Sequence, residues 1–212
     1  MQQNDPAELL EVYDAAGTST GLVRTRAEVH TRGDWHLAFH CWIVRSNGEV
    51  VLQRRSLAKD TFGGLWDAAA AGHWRAGETP PEAAREVAEE LGLEVPFADL
   101  HECGRERISR RFPERGLIDR EHHQVYVLRW DAPFSTYRPD PREVSGLAAF
   151  PARGLLDVLA GRVAQVDATE AVLLDQDGGC YAPRPVRVMR TDIVPYSAAR
   201  LARMLGCARA ID

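Results

Sequence analysis

The chain has 212 residues, 45% hydrophobic and 27% charged, with 31 acidic against 26 basic side chains for a net charge of −5. That size suits one well-filled domain with an appendage, and the apolar fraction with five tryptophans excludes a mainly disordered chain. No run approaches the roughly 18 apolar residues of a membrane span, the start lacks a secretory leader's basic and apolar regions, and mild acidity argues against a phosphate-backbone surface. A cytoplasmic protein with no membrane and no nucleic-acid partner is therefore expected.

Residues 9–13 and 22–30 read as strands on either side of a turn-rich loop, Gly17–Gly21. Residues 35–44 and 49–54 are apolar runs around Asn47-Gly48, the clearest hairpin signal in the chain. After Gly63-Gly64 and the stretch Leu65–Trp74, a helix is bounded over 80–91. Thr79 suits its N-cap, Pro80 its first turn, Glu82 completes a capping box, and Gly92 stands where a C′ glycine ends a helix. Residues 124–130 and 146–150 read as strands, and Pro151 opens a helix to Ala160. Asp167 is expected to cap a short helix through Leu174, and a last helical stretch covers Ser197–Leu205. Interleaved strands and helices favour an α/β or α+β domain. Cys41, Cys103, Cys180 and Cys207 are isolated, without the Cys-x-x-Cys spacing of a zinc site, and are expected as reduced, mostly buried thiols.

The helix over 80–91 carries the clearest chemistry. At about 100° per residue, Glu82, Glu86, Glu89 and Glu90 share one arc of roughly 100°, while Ala83, Ala84, Val87, Ala88 and Leu91 form the opposite, core-facing stripe. Like charges at these spacings disfavour a helix by a few tenths of a kcal/mol per pair. A solvated face is one reading of such an arc; a site for hard divalent cations, which take oxygen ligands, is the other. The segment 78–94 holds six glutamates and one arginine, so its local charge of −5 equals that of the whole chain.

The context distinguishes these readings. Gly72-His-Trp-Arg-Ala-Gly-Glu78 followed by Arg85-Glu86-Val87-Ala88-Glu89-Glu90-Leu91-Gly92-Leu93 resembles the Nudix hydrolase signature, G-x5-E-x7-R-E-U-x-E-E-x-G-U, with U a bulky aliphatic. All nine specified positions match; only six residues separate Glu78 from Arg85, where the pattern has seven. The pair Pro80-Pro81 suggests that the missing residue falls in the loop entering the helix. The resemblance implies a Nudix α/β/α sandwich around a mixed β-sheet over residues 31–160. An N-terminal β extension, 1–30, would pack on that core, and 161–212 would be a C-terminal helical addition. It also implies an enzyme that hydrolyses a diphosphate bond in a nucleoside diphosphate derivative or similar small organic diphosphate. Glu86, Glu89 and Glu90 would bind Mg²⁺ or Mn²⁺ and activate water, the Gly72 carbonyl would be a further ligand, and Glu78 with Arg85 would form an orienting ion pair. Glu82 lies outside the motif. Dimers are common in the family, although nothing in this sequence marks a homodimer interface.

The flanks Asp34-Trp35-His36, Leu52–Ser56, Lys59-Asp60-Thr61, Trp66-Asp67 and Ala70-Ala71-Gly72-His73 resemble one branch, the isopentenyl-diphosphate isomerase-like proteins. The isomerases place a catalytic cysteine just before the glycine–histidine pair, where this chain has Ala68–Ala71. Isomerase or isoprenoid diphosphate hydrolase activity, or a non-catalytic ligand-binding module, is therefore the alternative to nucleotide diphosphate hydrolysis. Arg54, Arg55 and Lys59 lie where many relatives meet substrate phosphates, and His73 borders the metal-ligand glycine. Glu121 is a candidate extra metal ligand and Glu143 a weaker one. In Glu121-His122-His123 only alternate members can share a sheet face. His30, His36 and His40 correspond less well to the isomerases' histidine ligands, because strand alternation and the absent thiol count against a shared site. Trp35, Trp66 and Trp74 fit core packing better than stacking on a base.

Overall fold

The computed structural model describes residues 5–173 and 181–210; Leu174 and Cys180 lie outside them. In chain order the elements are β1 (Leu9–Tyr13), β2 (Ser19–Thr25), α1 (Arg26–Arg32), β3 (Trp35–Val44), β4 (Glu49–Arg55), β5 (Trp66–Asp67), β6 (Ala70–His73), α2 (Pro80–Ala83) and α3 (Arg85–Leu91). Then follow β7 (Leu100–Phe112), β8 (Leu117–Arg129), β9 (Val144–Pro151), α4 (Ala152–Leu159), β10 (Gln165–Leu173), β11 (Tyr181–Met189) and α5 (Ala198–Arg209).

β3 is buried from His36 to Val44, as a strand covered on both faces must be. It pairs antiparallel with β4 across Asn47-Gly48 and with β6, and parallel with β8, which makes the sheet mixed. The sheet continues from β4 through β9 and β10 to β11 on one side, and from β3 to the β1–β2 hairpin on the other; β7 pairs with β8. Helices cover both faces. Trp42, Phe150 and Val127 pack with Leu155 and Val158 of α4 and Leu201 and Met204 of α5. On the other face Phe39, Tyr126 and Leu147 pack with Ala83 of α2 and Val87 and Leu91 of α3. The expected α/β/α sandwich around a mixed sheet is the observed architecture, but the segment beyond 160 is not the helical addition expected: β10 and β11 extend the sheet from β9 before α5 begins.

Four local expectations are overturned. Residues 22–30 are not one strand: β2 ends at Thr25, which accepts from the Glu28 amide (3.3 Å) while its own amide donates to Glu28 Oε2 (3.0 Å), and this capping box starts α1. The helix over 80–91 is interrupted at Ala84, whose ψ of −7° separates α2 from α3. Glu82, in α2, leaves the carboxylate arc: its Oε2 accepts from the amide and hydroxyl of Thr79, both at 2.7 Å. Asp167 caps no helix; it sits within β10, where buried Val166, Ala168 and Glu170 alternate with exposed Gln165, Asp167 and Thr169. That period of two, with ladders to β9 and β11 on either side, overrides the capping propensity of one aspartate. Finally, Cys103 of β7 and Cys207 of α5 form a disulfide, with Cα atoms 5.9 Å apart across 104 residues of sequence, while Cys41 is free and buried.

Candidate functional site

α3 presents its carboxylates into protein rather than to solvent. Glu86 and Glu90 are 1% and 0% exposed, and only Glu89 reaches the surface. Glu90 Oε2 accepts from Gln53 Nε2 (2.6 Å) and the Ala71 amide (2.9 Å), and Lys59 Nζ lies 3.3 Å from Glu90 Oε1. Lys59 also pairs with Glu143, which brings that carboxylate into the site. Glu86 pairs with Arg85, while its Oε2 is buried without a hydrogen-bond partner. The carboxyl group lies against the Gly72 backbone so closely that a Cβ there would fall nearer than 3.0 Å to it, which is the physical need for glycine. Burial raises Glu86 to about 8 against the pull of Arg85, and burial likewise raises Glu90 against Lys59.

The Glu78–Arg85 ion pair forms despite the short spacer. Arg85 Nε donates to Glu78 Oε1 at 2.7 Å, Arg85 Nη2 lies 3.3 Å from Oε2, and Nη2 also donates to the His73 carbonyl at 3.2 Å. The Arg75 amide donates to Glu78 Oε2 (2.8 Å), and Arg85 Nη1 reaches Glu89 Oε2 (3.3 Å). Glu78, Glu86 and Glu89 therefore share the one guanidinium of Arg85, a hydrogen-bonded group that keeps a net negative charge beside the strand that carries Gly72.

A second group gathers around His73, the residue after Gly72. His30 of α1, His36 of β3, His73 of β6, and Asp119 and Glu121 of β8 converge. His73 Nε2 is 3.4 Å and His36 Nε2 3.8 Å from Glu121 Oε1; His30 Nε2 is 3.8 Å and His36 Nε2 4.0 Å from Asp119 Oδ1. Strand alternation, expected to separate the histidines, does not, because His30 enters from a helix rather than from a strand.

The protonation pattern shows what this group fits. His36 Nδ1 lies 3.2 Å from the Asp34 carbonyl, an acceptor only, so Nδ1 carries the hydrogen. Burial holds His36 below its ordinary value and therefore neutral, and its Nε2 lone pair points at two carboxylates. Both His36 Nε2 and Asp119 Oδ1 are buried without hydrogen-bond partners. A lone pair facing carboxylate oxygens is repulsive unless a proton or a cation lies among them, and nitrogen with oxygen donors suits a divalent metal. Burial, then His36, push His30 down to about 4, and burial lowers His73 also. Asp119 is raised by burial and by Glu121; Glu121 stays well below the ordinary range because His123 and His73 outweigh its burial. Neutral imidazoles beside an ionised carboxylate form a ligand set ready for a cation.

The second group borders a cleft through His30, His73, Asp119 and Glu121; Gly72, Arg26, Arg55, Lys59, Arg110 and Tyr196 line it too, and the α3 carboxylates lie behind Gly72 and Lys59 rather than in its lining. Arg55 Nη1 is 2.8 Å from Asp67 Oδ2, and Tyr196 donates to the same carboxyl group from the C-terminal segment. Arg54 is not brought in: strand alternation turns it outward, where its Nε donates to the Gly64 carbonyl (3.0 Å) and its guanidinium lies 6.0 Å from the Trp66 ring. His122 also turns away from Glu121 and His123 and donates to the Asp14 carbonyl (2.9 Å). His30, His36 and Asp119 are the residues sequence reasoning undervalued or missed. The pattern Asp119-x-Glu121-x-His123 carried the signal, two carboxylates and an imidazole at a spacing of two on one strand face.

Residues 34–169 match the NUDIX domain family. An uncharacterised Nudix hydrolase of Clostridium acetobutylicum is 31% identical over 192 residues, 89% of this chain and 91% of that protein. An isopentenyl-diphosphate Delta-isomerase of Streptomyces griseus is 36% identical over 144 residues, 67% of this chain and 70% of that protein. Among solved structures, a Deinococcus radiodurans protein superposes with a TM-score of 0.53 at 25% identity, covering 73% of this chain and 90% of that one.

Proposed function

The chain belongs to the Nudix family, and from that premise we propose that it hydrolyses a diphosphate bond of a nucleoside diphosphate derivative or similar organic diphosphate, using Mg²⁺ or Mn²⁺. The observation that carries this reading is a set of buried donor atoms left without partners around Gly72 and His73: Glu86 Oε2, His36 Nε2 and Asp119 Oδ1. Glu86, Glu89, Glu90 and the Gly72 carbonyl would hold one cation, and His30, His36, His73, Asp119 and Glu121 another. Divalent cations bound there would neutralise diphosphate oxygens and make water acidic enough to serve as nucleophile near neutral pH. Arg55, Lys59, Arg26 and Arg110 supply cationic side chains to the cleft that His30, His73, Asp119 and Glu121 line, and would hold the substrate's phosphates. Glu78 and the His73 carbonyl fix Arg85, which in turn holds Glu86 and Glu89 in place. Glu86 Oε2, buried without a hydrogen-bond partner, would accept the proton that water releases.

A second reading, isomerisation or hydrolysis of an isoprenoid diphosphate, is favoured by the imidazole–carboxylate group and by the isomerase relatives. Against isomerisation, Ala71 stands beside Gly72 where the isomerases carry cysteine, and burial pushes the Cys41 thiol up to about 12. A screen of nucleoside and isoprenoid diphosphates with each metal, reading product masses, tests both; inertness across the panel would favour a binding module. A cytoplasmic location belongs to the same proposal. The Cys103–Cys207 bond is rarer there, and counting thiols in protein lysed under an alkylating agent tests it.

A further inference from the structure

Glu121 uses one oxygen towards the cleft and the other towards the C-terminal helix. Its Oε1 faces His73 and His36, and its Oε2 lies 2.6 Å from His123 Nε2. On the far side of that ring, Arg200 of α5 places Nη2 2.9 Å from His123 Nδ1. Arg200 is 4% exposed and is held by Glu106, with Nε 2.9 Å from Oε2. His40 stacks on the His123 ring at 3.8 Å between centroids, which fixes its plane.

We propose that Arg200 and His123 are positioning residues for Glu121, orienting it as a metal ligand from outside the cleft. The proposal rests on the reading that the imidazole–carboxylate group holds a divalent cation. A guanidinium has donors and no acceptor, so His123 Nδ1 must accept from Arg200. The ring's hydrogen is then on Nε2, and it donates to Glu121 Oε2. This pins the carboxylate plane and leaves Oε1 with its lone pairs towards His36 and His73. Without Arg200 the ring can carry its hydrogen on Nδ1; its Nε2 lone pair then faces Glu121 Oε2, and the carboxylate turns away.

The same hydrogen-bond direction settles a competing arrangement. His40, Glu121 and His123 lie close enough together to suggest another cation site. An Nε2 bearing hydrogen cannot ligate a metal, so His123 serves Glu121 instead. Residues beyond 160 thus enter the chemistry of the site: α5 is stapled to β7 by Cys103–Cys207, and its Arg200 acts through His123 on Glu121 in β8.

Nitrogen-15 NMR of the histidine rings in the intact metal-free protein reads the tautomer directly. His123 is expected protonated at Nε2 only; a hydrogen on Nδ1 overturns the proposal. Titration with Co²⁺, followed by its visible absorption and compared with His36→Ala to assign the site, reads the consequence. Arg200→Met is expected to weaken binding by about 10–100-fold, the usual range for removing a group that orients a metal ligand. His123→Gln, whose amide can still donate to Glu121, should stay within about threefold of the parent, and Arg200→Met in that background should add little. Equal losses from Arg200→Met in the two backgrounds refute the relay. Should Arg200→Met not fold, His123→Gln against His123→Phe makes the same comparison, since phenylalanine keeps the stack and loses the donor; equal affinities would again refute it. Failure of the parent to bind Co²⁺, or unchanged affinity in His36→Ala, removes the metal reading itself, an outcome separate from the tautomer result.

Discussion

Gly72→Ala separates the site's chemistry from the stability of the fold. A Cβ at Gly72 would lie under 3.0 Å from the carboxyl carbon and both oxygens of Glu86. Carbon atoms in contact settle at about 3.5–4.0 Å, so the carboxyl group must retreat by at least about 0.5–1 Å. Metal–oxygen bonds to Mg²⁺ tolerate only about 2.0–2.1 Å, and a 1 Å misplacement costs on the order of 10²-fold in rate. The backbone has no objection: Gly72 lies in β6 and is absent from the positive-φ glycines, so alanine is conformationally acceptable and stabilises by about 0.4–1 kcal/mol through the unfolded chain. That gain offsets part of the disturbance to the Arg85–Glu86 pair. The assay is Mn²⁺ affinity by calorimetry and turnover on a substrate from the diphosphate screen, with a thermal melt alongside. The expectation is a roughly 100-fold loss of turnover and weaker Mn²⁺ binding, with a melting temperature within a few degrees of the parent. Turnover and affinity within threefold of the parent would refute the placement of Glu86 as a ligand cradled by Gly72.

Glu90→Gln keeps the size of the side chain and removes its charge; turnover should fall on the order of 10³-fold while circular dichroism and melting stay near the parent's. Arg85→Met leaves Glu78 and Glu86 without their shared cation, and urea unfolding should show a loss of about 3–5 kcal/mol, partly restored by Mg²⁺. In metal-free protein Glu86 is raised to about 8 from its ordinary 4.5, so the folded state binds that proton more tightly than the unfolded one. Its stability should therefore fall as pH rises from about 4.5 to about 8, and Mn²⁺ affinity should rise by up to tenfold per pH unit in the same window, since binding displaces the proton. A flat affinity between pH 6 and 7 contradicts this. Cys207→Ser removes a closure of 104 residues and should cost about 2–5 kcal/mol; a reductant should lower the parent's stability equally and leave the variant's unchanged.

The core of the site was legible because its signals are local. Glu86, Glu89 and Glu90 sit within one helical segment, and their spacing with Arg85 and Gly72 is a property of a few consecutive residues. The hairpin at Asn47-Gly48 and the buried run of β3 were legible for the same reason. Local competition explains the misplaced elements. Thr25 and Glu28 start a helix within an apolar run that reads equally well as strand, and at Asp167 the pairing offered by β9 and β11 prevails over a capping residue. Arg54 was placed in the site by its neighbours in sequence, and strand alternation decided otherwise.

By itself the sequence determined the family, the sandwich, and the acidic helix whose charge of −5 equals the net charge of the chain. The tertiary structure alone decided how much of that charge is exposed, and it buried Glu86 and Glu90 against Gly72, Gln53 and Lys59. It also decided that His30, His36, His73, Asp119 and Glu121, spread over more than ninety residues, would meet, and that Cys103 would bond Cys207. The physical reason is the same in each case. Side-chain spacing along one element follows from its own periodicity, whereas a ligand cage or a disulfide depends on which elements the sheet brings side by side.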